Sequence, residues 1–184
     1  MVEEARFKET EGGLEPISEG WFVVNVADTA WWRSDVFGAT CPLEGIDEQN
    51  APQARFQEYG INIHVVWPGQ PNCMYHGEAA QEDFLVLAGE CLLLVEGEDR
   101  RLKAWDFVHF PKWTEHVIVG AGTGPCAILM VGSRADDRVA YPVSELAQKH
   151  GAGVEKETDQ PSEAYARFPE WRRERTDGQG LPWN

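Results

Sequence analysis

Short β-rich stretches recur through the middle of the chain: Ile61 to Trp67, Phe84 to Leu87, Glu90 to Glu96, Phe107 to Phe110, His116 to Val119 and Cys126 to Val131. Each is rich in β-branched, aliphatic or aromatic residues and too short for a helix, so each predicts a strand. The rhythm, with turn residues between the runs, predicts a sandwich or barrel. Ala88-Gly89, Glu96-Gly97-Glu98-Asp99 and the Gly120 to Pro125 segment supply that punctuation. No helical period occurs between 61 and 134. Residues 1 to 20 are charged and Gly-rich, and Glu11-Gly12-Gly13 and Glu19-Gly20 interrupt any period, which predicts an arm. Trp21 to Val26 then predicts a strand. Beyond Arg134, Val143 to His150 predicts a short helix closed by Gly151, and Asp159 with Pro161 opens a second running to about Phe168. Pro169 to Asn184 reads as irregular. The organisation expected is an N-terminal arm with leading strands (1–60), an all-β barrel core (61–134), and short C-terminal helices with an irregular tail (135–184).

Composition narrows the partners. The 184 residues are 42% apolar, enough for a sizeable core, and 16 Lys and Arg against 31 Asp and Glu leave a net charge of −15. That field repels polyanions, so nucleic acid and anionic membrane are not expected partners. Trp171-Arg172-Arg173-Glu174-Arg175 is one short basic run on an acidic chain and reads as a solvated tail or a subunit clasp. The apolar runs are far too short to span a bilayer, and the acidic start has no apolar segment behind it, so a soluble cytoplasmic protein is expected. Cys41, Cys73, Cys91 and Cys126 have neither zinc-pair nor disulfide-framework spacing, which predicts reduced thiols. Cys91 and Cys126 open apolar runs and read as small buried hydrophobes. Trp31-Trp32 lies where one small barrel would not easily bury both rings, which predicts packing across subunits.

Chemistry concentrates in two places. In Cys73-Met74-Tyr75-His76-Gly77-Glu78-Ala79-Ala80-Gln81-Glu82, His76 and Glu78 stand two apart, a spacing that puts both side chains on one face of a strand. Inside a barrel they would converge, and Glu82 can join them after a bend. A second cluster, Trp105 to His116, brings another imidazole from a distant strand. Two histidines with one or two carboxylates form a mixed nitrogen and oxygen set suited to Fe(II), Mn(II), Zn(II), Ni(II) or Co(II). Cys73 and Tyr75 approach His76 on the same side of a strand by alternation or, on a regular strand, stand on the opposite face, which argues against both being ligands and leaves Cys73 at most a neighbour of the pocket. His64 and His109 read as structural, and His150 as a helix-end cation.

These clusters resemble the two motifs of the cupins, P-G-x5-H-x-H-x3-E-x6-G and G-x5-P-x-G-x2-H-x3-N. Pro68, Gly69, His76, Glu82 and Gly89 fit the first with nearly ideal spacing, six residues rather than five separating Gly69 from His76; Pro111 and His116 match the second. The resemblance, spanning about 61 to 134, implies a double-stranded β-helix, a small jelly-roll barrel with a divalent metal held inside by both motifs, and commonly a homodimer. Three positions depart from the pattern. Glu78 stands where the family usually has a second histidine, Trp105 and Trp113 replace both glycines of the second motif, and Gly120 replaces its asparagine. A large residue at Trp113 predicts a changed backbone there, with its ring either at the barrel mouth or in the core.

The expected metal ligands are therefore His76, Glu78, Glu82 and His116, with Glu78 alternatively a catalytic acid or base. A second carboxylate favours a harder ion, iron or manganese. The function this implies is a metal-dependent enzyme acting on a small organic molecule, by dioxygenation or by isomerase or lyase chemistry. The alternative is a non-catalytic sensor or storage barrel for a metal or small ligand.

Overall fold

The computed structural model describes residues 1–44, 54–178 and 181. The strands are β1 (Phe7–Thr10), β2 (Gly13–Pro16), β3 (Trp32–Ser34), β4 (Gly38–Pro42), β5 (Tyr59–Val66), β6 (Gly77–Glu78), β7 (Glu82–Ala88), β8 (Glu90–Val95), β9 (Glu98–Lys103), β10 (Phe107–Phe110), β11 (His116–Ala121), β12 (Cys126–Ser133) and β13 (Val139–Ala140). Two short helices, α1 (Glu145–Lys149) and α2 (Pro161–Ala164), and a last strand, β14 (Arg172–Arg173), follow. A seven-stranded sheet in the order β10-β7-β12-β5-β4-β3-β14 faces a three-stranded sheet, β11-β8-β9, in the antiparallel double-stranded β-helix expected.

Alternation along the strands builds this barrel. Val66 on β5, Phe84 and Val86 on β7, Phe110 on β10 and Ile128 on β12 meet Cys91, Leu93 and Ile118 of the smaller sheet between the two layers. The intervening residues point outward and are also covered. Ile63, Val65 and Ala127 pack with Trp31 and Leu181 on the back of the large sheet. Leu94, Val117 and Val119 pack with Tyr75, Ala147 and Ala152 on the back of the small one. With both faces buried, these strands read as continuous apolar runs rather than as alternating ones.

Several expectations change. Trp21 to Val26 is not a strand: Trp21 makes a single bridge to Glu4, and Val26–Asp28 forms a 3-10 turn capped by the Asn25 side chain. A β-prone run stays irregular when no neighbouring strand takes up its amide groups. The Gly12-Gly13 break is instead the turn of a hairpin, β1 against β2. Trp31 is buried within the chain, its indole N–H donating to the Val26 carbonyl, and Trp32 lies under the Arg173 guanidinium, 4.8 Å from its ring. The pair is thus absorbed within one chain, because the back of the large sheet itself needs an apolar cover. The basic run is an intramolecular clasp: β14 pairs with β3, and Arg172, Arg173 and Arg175 reach Asp35, Glu15 and Glu9. The first helix forms with Ser144 as its N-cap, whereas the second is one turn beginning at Pro161, without a side-chain cap from Gln160.

Candidate metal centre

The inward faces of β7 and β11 carry more than apolar side chains. Glu82 precedes Phe84 and Val86 by the alternation of two, and His116 precedes Ile118 in the same way, so both point into the barrel at one end. His76 sits directly across from His116: the amide of each donates to the carbonyl of the other, at 3.1 and 2.8 Å. A ladder rung thus joins the two sequence-distant histidines, and their rings stand 5.0 Å apart.

Each imidazole has its proton placed by its backbone. Nδ1 of His76 lies 2.7 Å from the Met74 carbonyl oxygen and Nδ1 of His116 lies 2.9 Å from that of Thr114. A ring nitrogen that close to a carbonyl donates, which turns both Nε2 atoms toward the barrel interior as the coordinating positions. Donor atoms of His76, Glu82 and His116 all lie within 4.8 Å of one another. His116 Nε2 is 3.3 Å from Glu82 Oε2, and His76 Nε2 is 3.3 Å from Glu78 Oε1. Such separations suit adjacent ligands of an ion with bonds of about 2.0–2.2 Å. His116 Nε2 is also buried with no hydrogen-bond partner among the described residues. An unpaired buried lone pair facing a carboxylate fits a cation between them. The donor set therefore fits a divalent transition metal, with His76, Glu82 and His116 as the compact group and Glu78 against His76 at its rim.

Burial sets the protonation of these groups. Burial, together with the charge of His76, pushes the His116 pKa down to about 3, and the Phe110 ring stacks 3.8 Å from its imidazole. Burial opposes charge on His76 as well, but Cys73, Glu78 and Glu82 outweigh it and raise its pKa. Burial, reinforced by Glu78, pushes Glu82 up to about 7. Glu78 moves the other way, held down by its hydrogen bond to His76. The two carboxyls therefore differ: Glu78 is the readily ionised one, and Glu82 ionises fully when a cation joins it.

The site opens on a cavity of about 360 Å3. Cys73 reaches its wall, with Sγ 3.6 Å from His76 Nδ1. Tyr141 and Tyr165, from the chain beyond the motifs, close one side; Tyr141 lies over the His76 ring at 6.0 Å, and Tyr165 OH accepts from the Met74 amide. Neither tyrosine was expected, because nothing in the pattern of 135–184 ties those residues to the barrel; their aromatic bulk beside Pro142 and Pro161 was the available signal. His64 also lines the cavity but is held structurally, its Nε2 2.7 Å from the Phe37 carbonyl oxygen, and burial pushes its pKa down to about 4. His109 lies at the surface against Asp83.

The motif departures resolve differently from expectation. Trp105 and Trp113 adopt the left-handed backbone that glycine would, with φ of 74° and 66°. The turns are kept, and the tryptophans carry the strain that glycine would avoid. The Trp113 ring is partly exposed, with the Arg138 guanidinium 5.8 Å from its centre, and does not wall the cavity. Its amide nevertheless donates to the Glu78 carbonyl at 2.6 Å, so the strained turn holds the Glu78 backbone. Gly120 stands where an asparagine is usual because the chain crosses close by: a Cβ there would come within 2.1 Å of the Trp67 carbonyl oxygen.

A putative sugar phosphate isomerase from Acidithiobacillus ferrooxidans is similar in structure over 55% of this chain and 63% of its own, at 24% identity and a TM-score of 0.45. A cupin 2 conserved barrel domain protein from Salinispora arenicola aligns over 64% of this chain and 91% of its own, at 22% identity and a TM-score of 0.47. The DMSP lyase DddQ from Ruegeria pomeroyi aligns over 78% and 62%, at 20% identity and a TM-score of 0.45. The chain thus spans less than two thirds of the isomerase and of the lyase. A search of curated proteins finds no significant match. No helix among the described residues is long and apolar enough to cross a membrane. Residues 62–132, which include both histidines and both carboxylates of the centre, match the cupin domain family, so this part of the chain is identified as a cupin domain.

Proposed function

We propose that this protein is a metal-dependent enzyme that transfers protons within a small organic molecule bound in the barrel cavity, as an isomerase or lyase does. The observation that carries the reading is the unpartnered, buried Nε2 of His116 beside Glu82 and His76. Carboxylates in the donor set favour iron or manganese over softer ions. A bound ion supplies Lewis-acid polarisation of a substrate oxygen. Glu78 then has the properties of a general base: it is held ionised, lies at the edge of the compact group, and lines the cavity. Tyr141, kept protonated mainly by burial, lines the same cavity beside His76 and can donate a proton to a bound molecule. A cavity of about 360 Å3 suits a small metabolite rather than a polymer.

A second reading, dioxygenation, is favoured by the two-histidine, one-carboxylate composition of the compact group, which matches the ligand type of non-haem iron oxygenases. Elemental analysis of freshly purified protein, followed by a substrate panel with the metal found, tests both. Turnover that persists without oxygen supports proton transfer, and oxygen consumption supports the second reading. Tight binding without turnover under any metal would instead identify a sensor or storage barrel. Wild-type protein without a transition metal, or His116→Ala protein with unchanged metal content, overturns the metal centre. We also propose a homodimer in the cytoplasm. The dimer is supported by Trp105 and Phe107, which are 74% and 63% exposed beside the edge strand β10.

A further inference from the structure

The cavity beside the histidines continues outward into a space of about 610 Å3, and Glu78, Ser133, Arg134 and Tyr141 line both. Arg134 stands in the wall of the inner cavity. Its Nη2 donates to Glu44 Oε1 at 2.5 Å, and the other Glu44 oxygen accepts from the Phe56 amide. Gly60 makes room for this pair, since a Cβ there would press on Glu44 Oε1 at 3.2 Å and Arg134 Nη2 at 3.3 Å. The remaining nitrogens, Nε and Nη1, are buried and have no hydrogen-bond partner among the described residues. A guanidinium always keeps its charge and its five N–H donors, and leaving buried donors unpaired is unfavourable. An ion pair serving only to hold Glu44 would use Nη2 and leave the other two nitrogens unexplained.

The nearby carboxylates are already committed. Glu78 faces His76, Glu82 faces His116, and Asp136 accepts two bonds from Arg138. Asp137, on the outer rim, is exposed. On a chain of net charge −15, Arg134 is thus a local site for an anion at the wall of the cavity that holds the metal ligands.

We propose that Arg134 is a specificity-determining residue and that the substrate carries a carboxylate, bound by the guanidinium while its reacting end lies at His76, Glu82 and His116. The inference rests on the metal-centre reading for the position of the reacting end. A planar carboxylate suits the directional donors of a guanidinium better than those of an ammonium.

The test uses the full chain, metal-loaded and EDTA-treated, titrated calorimetrically with acetate, pyruvate, malonate, succinate and benzoate, their amides, and inorganic phosphate. At least one carboxylate is expected to bind at least tenfold more tightly than its amide. Arg134→Lys, which keeps the charge facing Glu44, and Arg134→Gln should weaken that carboxylate about 10- to 100-fold at unchanged metal content. Glu44→Gln, which removes the competing carboxylate, should bind it at least as tightly as wild type. A purely structural role for Arg134 predicts that Arg134→Lys binds the carboxylate as wild type does, and that result overturns the proposal. So does equal binding of carboxylates and amides, binding of phosphate alone, or no binding of any carboxylate. Wild-type protein that takes up no metal on loading, with the Arg134→Lys difference intact, counts against the metal centre and leaves the anion site standing.

Discussion

Replacing Glu82 by glutamine should stabilise the metal-free protein and destabilise the metal-bound one relative to wild type. Glu82 is largely buried, and moving its carboxyl from the ordinary 4.5 to about 7 measures how strongly the folded interior disfavours its charge. At about 1.36 kcal/mol per pKa unit this corresponds to about 3 kcal/mol. A folded-state pKa above the unfolded one contributes stability that is fully present below about pH 4.5 and lost as pH rises to about 7. The advantage of Glu82→Gln should therefore be near zero at pH 4, grow through this window, and reach about 2–3 kcal/mol at pH 8, with allowance for the amide's imperfect fit. His116, whose pKa is pushed down to about 3, acts in the opposite direction, gaining stability as pH rises through the histidine range. It titrates in both proteins, whereas the substitution also withdraws the carboxylate that helps raise the His76 pKa, a loss that works against the variant where both groups are charged. Urea unfolding with EDTA at pH 4, 6 and 8 gives the three differences. Adding saturating Mn(II) or Fe(II) at pH 8 should reverse the order, since wild type gains binding free energy that the variant lacks. A variant less stable than wild type at pH 8 in EDTA, or one stabilised equally by metal, would refute this account of Glu82.

Three further outcomes follow from features outside the centre. Gly120→Ala should cost about 3 kcal/mol or more and lower metal occupancy, because the new Cβ meets the Trp67 carbonyl and displaces β11, which carries His116; urea midpoints and elemental analysis check both. Trp105→Gly should weaken the proposed dimer and, measured on the dissociated monomer, raise stability by up to about 1 kcal/mol by relieving a left-handed backbone, less the freedom glycine adds to the unfolded chain; unchanged or lowered monomer stability would count against backbone strain there. Light scattering at micromolar concentration should find twice the 20.7 kDa chain mass; a 20.7 kDa particle alone would defeat the homodimer.

The legible part of the fold was the part buried on both sides. Strands such as Glu90–Val95 and Cys126–Ser133 carry apolar side chains toward both the barrel interior and the outer cover, so each residue adds to the signal. Glu98–Lys103 escaped because it is a charged edge strand almost wholly exposed, a composition that protects an edge but resembles a loop. Gly38–Pro42 and Arg172–Arg173 escaped because their strand character comes from the neighbours they pair with. In the candidate centre, the gathering of His76, Glu82 and His116 was legible from the two motifs, and Glu78 beside His76 from their two-residue spacing. Arg134, Tyr141 and Tyr165 were not, because they reach the cavity from segments with no period of their own, brought there by tertiary packing.

The rung between His76 and His116 has a consequence for ion preference. Both rings are tethered twice, by that pairing and by their Nδ1 bonds, so neither can shift outward to suit a larger guest. Glutamate side chains have more rotatable bonds and can swing. In the proposed metal centre, accommodation of ions of different radius would thus fall to the oxygen side, and discrimination among metals would depend on how far Glu82 can travel while the nitrogens stand still.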